Sequence, residues 1–287
     1  MFTNDGSSKG PEMRAYLHEG CVQKLPDSSS VPEAAVGGSP PERAAALRAA
    51  GFVGIQGPEV AHYAAVGLGV ATLGRANTTE EIDAFARAAA ADKYECGTMH
   101  IGWGFEDDAQ IDRLARAVVQ ATRDHEIPLF VETHRATILQ DPYRTLKLIE
   151  RVPEIRLNGD FSHWYTGCEM VYGDIEEKFD LLAPVFERVG FIHARVGNSS
   201  NMQVTVHDPS MKVALDHYRE MWKRSFSGFK RHAQPGDYIV FAPELLEPSI
   251  NYARLYKSSD GEWREDSDRW EESIKLVEIA TECFAVA

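Results

Sequence analysis

From residue 52 onward, short apolar runs alternate with longer stretches whose apolar positions recur at helical spacing. The first run, residues 52–55, follows an alanine-rich helical segment over 41–50 whose leading prolines suit a first helical turn. A short helix near 59–66 precedes a strand over 70–73, and Thr78, Thr79 and Glu80 then form a helix-capping start. The rhythm continues with a strand over 98–103, an amphipathic helix over 107–125 and an apolar strand over 128–132. Helix 143–151 leads to strand 155–160, helix 175–188 to strand 190–195, and helix 213–231 to strand 238–244, before a closing helix over 268–283.

That pattern supplies seven strands separated by helices, and residues 13–22 can supply the first of eight. Strands separated by helices pair in parallel, because a helical crossover returns the chain to the same end of the sheet. At 287 residues, with no GxGxxG or GxxxxGK[ST] loop to mark an open nucleotide-binding sheet, the pattern predicts a closed α/β fold. The expected architecture is a single-domain (β/α)8 TIM barrel over residues 1–287. Residues 1–40 would form an irregular segment plus the first strand, because 25–41 is rich in Pro, Ser and Gly.

Composition narrows the function. A formal net charge of −14 repels phosphate backbones, so no nucleic-acid partner is expected. The densest basic stretch, Lys223, Arg224, Lys230 and Arg231, reads as the solvated face of an outer helix. The four cysteines, Cys21, Cys96, Cys168 and Cys283, form no CxxC pair, which fits a reducing compartment. With neither a signal-peptide pattern nor a membrane-length apolar run, the expectation is a cytoplasmic protein without a membrane partner.

In such barrels the reactive groups stand at the C-terminal ends of the strands. The last four runs end in or carry ligand-type side chains: Glu132 in PLFVETHR, Asp160 in EIRLNGDFSHW, His193 in VGFIHARV and Glu244 in DYIVFAPELL. Three carboxylates and an imidazole on one rim repel one another unless a cation joins them, so the expected cofactor is one divalent metal ion. The donor set suits Mn, Mg, Co or Zn and does not choose among them. Taken singly, each acid could instead cap a helix or pair with an arginine. Arg195, two residues past His193 on the same side of the strand, either holds a substrate oxygen or bridges to a rim carboxylate. Trp103 and Trp164 follow strands four and six, where they either stack on a sugar or pack against loops. His62, His134 and His207 read as ordinary loop or helix residues.

The pieces AGFVGIQGPE, FVETHR, NGDFSHWYTGCE, FIHARVG and FAPELL, spread from about residue 50 to the C-terminus, resemble the xylose isomerase-like TIM barrels. These include sugar phosphate isomerases and epimerases, inosose dehydratases and the family 2 AP endonucleases. The resemblance implies that Glu132, Asp160, His193 and Glu244 bind metal, and that His163, at D-x-x-H spacing from Asp160, faces substrate; His100 joins Arg195, Trp103 and Trp164 as a candidate contact. It also implies association into homo-oligomers. Gln56 stands where many relatives have glutamate, and His18 and Glu19 are the N-terminal groups that would reach the pocket. The endonuclease pattern is incomplete, since VTVHD offers no D-x-H and GVATLG no histidine.

The reaction expected is metal-assisted proton transfer on a ketose or related sugar, with Glu132 and Glu244 as the acid–base pair and an enediolate between substrate and product. That chemistry is an isomerase's or epimerase's. Loss of a β-hydroxyl or glycosyl group from the same intermediate would make the site a dehydratase or lyase acting on a keto-sugar, keto-inositol or glycoside, and a non-catalytic barrel is the remaining alternative.

Overall fold

The computed structural model describes residues 1–287. Eight strands form the barrel: β1 (Glu12–His18), β2 (Gly54–Gln56), β3 (Gly69–Ala76), β4 (Cys96–Ile101), β5 (Leu129–Glu132), β6 (Leu157–Asn158), β7 (Val189–Ala194) and β8 (Asp237–Pro243). All neighbours run parallel, and β8 pairs with both β7 and β1, so the sheet closes as expected.

Strand alternation sorts side chains between the barrel interior and the outer helices. Tyr16, Ala71, Cys96, Phe130, Phe191, Tyr238, Val240 and Ala242 form an apolar interior cluster. Gly54 makes room for it: a Cβ there would lie 2.5 Å from the Tyr16 ring. Continuing inward by twos, the same strands reach His18, Gln56, Arg75, Thr98, His100, Glu132, His193 and Glu244. The barrel therefore has an apolar floor and a polar rim.

The helices cover the outside with one apolar face each. Asp108–Asp124 buries Ile111, Leu114, Ala115, Val118 and Ala121, and its start is fixed by a capping box between Asp107 and Gln110. The basic stretch is such an outer face: Lys223 and Arg224 pair with Glu220, Arg224 also reaches Glu176, and Arg231 pairs with Glu187. No helix is long and apolar enough to cross a membrane. All four cysteines are free.

The structure departs from the sequence reading in several places. The helix expected over 175–188 divides into Ile175–Leu181 and Ala183–Phe186, because Pro184 lacks an N–H and its ring crowds the carbonyl four residues back. Residues 61–66 form a 3-10 helix. The first forty residues are more ordered than expected: Thr3–Asn4 pairs antiparallel with the start of β8, and Glu33–Gly37 is helical. Strand β6 is only two residues long, which leaves Asp160 beyond its end.

Two long loops close over the rim. The segment after β7 is pinned by Val206 N–H to Glu272 Oε1 at 2.6 Å and Thr205 Oγ1 to Glu272 Oε2 at 2.9 Å. The segment after β8 joins it through Gln203 and Leu246, which exchange two hydrogen bonds of 2.8 and 3.0 Å. It also carries an exposed hairpin, Leu255–Lys257 with Trp263–Glu265, too short to show alternation in sequence.

Burial raises the Glu272 carboxyl from its ordinary 4.5 to about 7, against the lowering effect of those two hydrogen bonds. The folded state thus binds this proton more tightly than the unfolded chain. Stability is fullest below 4.5 and declines as pH rises through about 7. Urea unfolding between about pH 5 and pH 9 should show that decline in the parent and a flatter profile in Glu272→Gln. Parallel profiles would contradict it.

Candidate functional site

A layer of neutral hydrogen bonds lies directly above the apolar floor. Gln56 Nε2 donates to Thr98 Oγ1 at 2.9 Å, and Gln56 Oε1 lies 2.8 Å from His193 Nε2. Asn158 accepts the His193 backbone N–H at 2.9 Å, which orients its amide so that Nδ2 donates to Glu132 Oε2 at 3.0 Å. With His193 Nε2–H given to Gln56, Nδ1 is the ring atom left for the rim.

That atom lies 2.8 Å from Glu132 Oε2 and 3.6 Å from Glu244 Oε2, and it has no hydrogen-bond partner although His193 is only 1% exposed. A buried imidazole nitrogen between two carboxylates requires a proton or a cation, since three lone pairs would otherwise converge. Burial acts to lower the His193 pKa, but Glu244 and Glu132 outweigh it and raise it to about 9. Burial likewise acts to raise Glu132, yet His100 and His193 hold it well below the usual carboxylate range. Burial pushes Glu244 above its ordinary value, against the lowering pull of His193 and Arg195.

Three clusters place ligand atoms within 4.8 Å of one another: Glu132, His193 and Glu244; Glu132, Asp160 and His163; and His100, Glu132 and His134. Glu132 belongs to all three. Its Oε1 lies 2.9 Å from His100 Nε2 and 3.9 Å from His163 Nε2. The donor set fits a divalent cation of the hard or borderline kind. Asp160 does not join His193 and Glu244 in one cluster, because the Arg195 guanidinium stands between: Nη2 donates to Asp160 Oδ2 and to Glu244 Oε2, each at 2.5 Å. Of the two readings left open for Arg195, the structure shows the carboxylate bridge. A cation shared by all four named side chains would require that guanidinium to move.

The remaining rim residues are placed as follows. Asp160 Oδ1 accepts Ser162 N–H at 3.0 Å, and His163, in the first turn of helix Ser162–Gly167, has its Nε2 3.4 Å from Asp160 Oδ2. His18 Nδ1 accepts Gly20 N–H at 3.0 Å, so the neutral ring carries its proton on Nε2, 3.6 Å from Glu244 Oε1. Burial and the nearby His193 and Arg195 push His18 down to about 3. Glu19 points elsewhere, toward Arg43 Nη1 at 3.4 Å. Arg75 donates to the carbonyls of Gly102 and Ala136 and lies 3.4 Å from His100 Nδ1.

Two expectations are corrected. Trp164 is no sugar platform: it is 1% exposed, donates its indole N–H to Leu139 O at 2.9 Å and packs on Phe161. Its place in the third position of a helix turns it into the core, whereas exposed Trp103 lies over the Arg75 guanidinium at 4.5 Å. His134 is no ordinary loop residue, since its ring lies 4.3 Å from His100 and 3.9 Å from His163. The FVETHR strand ends at Glu132, and a tight turn folds His134 back over the rim. His62 lies on the outer 3-10 helix, and the exposed side chain of His207 lies 3.8 Å from Glu272.

Sequence reasoning missed Asn158 and Tyr252 and gave Gln56 no role. Strand parity points to the two amides, each inward-facing and two residues from another interior position. No sequence signal marks Tyr252. Because Gln56 fixes which His193 nitrogen faces the carboxylates, Gln56→Met is expected to weaken manganese binding by about 10–100-fold, measured by competition with a chelating dye. Unchanged affinity would deny Gln56 that role.

No family model matches the sequence, and neither does any curated protein. Among solved structures, a xylose isomerase-like TIM barrel protein from Mycobacterium smegmatis in complex with magnesium is 13% identical, covers 99% of this chain and 100% of its own, and has a TM-score of 0.52. A probable 3-DHS dehydratase of petrobactin synthesis from Bacillus anthracis is 12% identical over 94% of this chain and 99% of its own, TM-score 0.56. A D-tagatose 3-epimerase-like protein is 12% identical over 95% and 98%, TM-score 0.55. This likeness shows the fold, a (β/α)8 TIM barrel.

Proposed function

We propose that the rim is the active site of a divalent-metal-dependent isomerase or epimerase that moves a proton on a ketose or related sugar. The observation that carries the reading is the unpartnered Nδ1 of His193, buried between Glu132 and Glu244. When bound, a divalent cation supplies Lewis acidity, polarising a substrate carbonyl and acidifying the adjoining C–H. Glu132, His193 and Glu244 would hold it, joined by Asp160 once the Arg195 guanidinium moves aside. The solved relatives of this fold, one with magnesium, one epimerase-like and one a probable dehydratase, are consistent with that chemistry.

The two glutamates suit opposite roles because their surroundings drive their acidities apart. Glu132, kept ionised, takes a proton from the carbon beside the carbonyl. Glu244, which burial pushes above its ordinary value, returns one, to the adjoining carbon in isomerisation or to the opposite face of the same carbon in epimerisation, and solvent resets both groups. The raised Glu244 also favours a second reading, in which its proton goes to a departing hydroxyl and the enzyme is a dehydratase or lyase.

Incubating the manganese-loaded protein in deuterated water with a panel of ketoses, inososes and keto-glycosides separates these outcomes. Deuterium entering a ketose of unchanged carbon skeleton supports the isomerase or epimerase, and loss of water or an aglycone supports the second reading. No exchange into any member would remove both.

A further inference from the structure

Hydrogen-bond donors gather around Tyr252. The Tyr252 ring, on the loop after β8, lies 4.6 Å from the Arg195 guanidinium, 5.7 Å from that of Arg135 and 6.4 Å from the His163 ring. Its hydroxyl is 3.4 Å from His134 Nε2. His134 Nδ1 accepts Ala136 N–H at 3.0 Å, so the neutral ring bears its proton on Nε2 and donates to the phenol oxygen. The Tyr252 hydroxyl is thereby left with its own hydrogen to give.

The nearby groups are also donors. Arg195 is 1% exposed, and its Nε and Nη1 have no partner, the bridge to Asp160 and Glu244 using only Nη2. Exposed Arg135 touches Met202 Sδ and the Tyr252 ring and pairs with no carboxylate. A substrate group against Arg195 Nε and Nη1, Arg135 and the Tyr252 hydroxyl meets donors, and the nearest carboxylates, Asp160 and Glu244, already accept from Arg195 Nη2. Carboxylate and phosphoryl oxygens need only donors, and guanidiniums suit them in charge and shape.

We propose that Arg195, Arg135 and Tyr252 form a subsite for an oxoanion of the substrate, a carboxylate or phosphate, met by the guanidinium nitrogens of Arg195 that do not bridge Asp160 and Glu244. The inference rests on the reading of the rim as a substrate site and narrows its substrate from sugars in general to acidic ones: sugar acids or sugar phosphates. The donors left for such a group are Arg195 Nε and Nη1, Arg135 and the Tyr252 hydroxyl, while Arg195 Nη2 stays with Asp160 and Glu244.

Calorimetric titration of protein stripped of metal by EDTA, with glycolate, inorganic phosphate and glycerol as separate probes, tests the subsite alone. Saturable binding of one or both anions is expected, with none for glycerol, and the preferred anion identifies the class. Exposed Arg135 can be replaced without disturbing the core, and Arg135→Met should weaken anion binding at least 10-fold, with Tyr252→Phe weakening it less. Anions that bind no better than glycerol, or equally well to Arg135→Met, overturn the proposal. A parallel manganese titration separates the two readings: metal binding without anion binding removes the oxoanion subsite alone, whereas anion binding without metal binding removes the metal-dependent function and leaves the subsite standing.

Discussion

Glu132→Gln is expected to lower proton exchange into the substrate by about 10²–10⁴-fold, the range that a positioned general base contributes. It should weaken manganese binding as well. Glu132 is the one side chain common to all three possible metal clusters; His100 and Asn158 bond to it at 2.9 and 3.0 Å, and His193 Nδ1 lies 2.8 Å from it. A glutamine has nearly the same shape but offers one carbonyl oxygen in place of two anionic ones. It can keep the packing, but it cannot take a proton from carbon. The melting temperature checks that the fold survives, and deuterium exchange followed by mass spectrometry reads the chemistry. Undiminished exchange would remove Glu132 from the acid–base role while leaving the barrel description untouched.

The second large effect concerns Arg195. Its guanidinium joins two buried carboxylates, Asp160 and Glu244, that are otherwise expensive to keep out of water. Removing one partner of a buried ion pair leaves uncompensated charge and typically destabilises by about 3–5 kcal/mol. At about 2–4 °C per kcal/mol for a chain of this size, Arg195→Met should lower the melting temperature by roughly 6–20 °C when metal is withheld with EDTA. Manganese should then raise the variant's melting temperature more than the parent's, because in the variant the cation neutralises carboxylates that have no other counter-charge. Equal shifts in the two proteins would mean that the guanidinium and the cation do not serve the same carboxylates.

The barrel and most of its rim were legible in the order of apolar and polar residues. Apolar runs separated by amphipathic helices leave little choice but parallel strands, and eight of them close. Strand period then carries Glu132, His193 and Glu244 to one end of one interior, because residues two apart face the same way. Single residues limited the reading elsewhere: Trp164 was misplaced because a helix turn, not a strand, decides its direction, and His134 because a turn after β5 folds back over the rim.

How these groups face one another depends on contacts across the barrel. Gln56 and His193, far apart in the chain, meet across the barrel, and that contact selects the imidazole nitrogen presented to Glu132 and Glu244. Arg195 could have turned either way by its position just past β7; the closeness of Asp160 and Glu244 settles it. Tyr252 reaches the pocket because two long loops cross-link through Gln203, Leu246 and Glu272. Periodicity fixes which face a side chain takes, while hydrogen-bond partners, burial and charge across the barrel depend on elements distant in sequence.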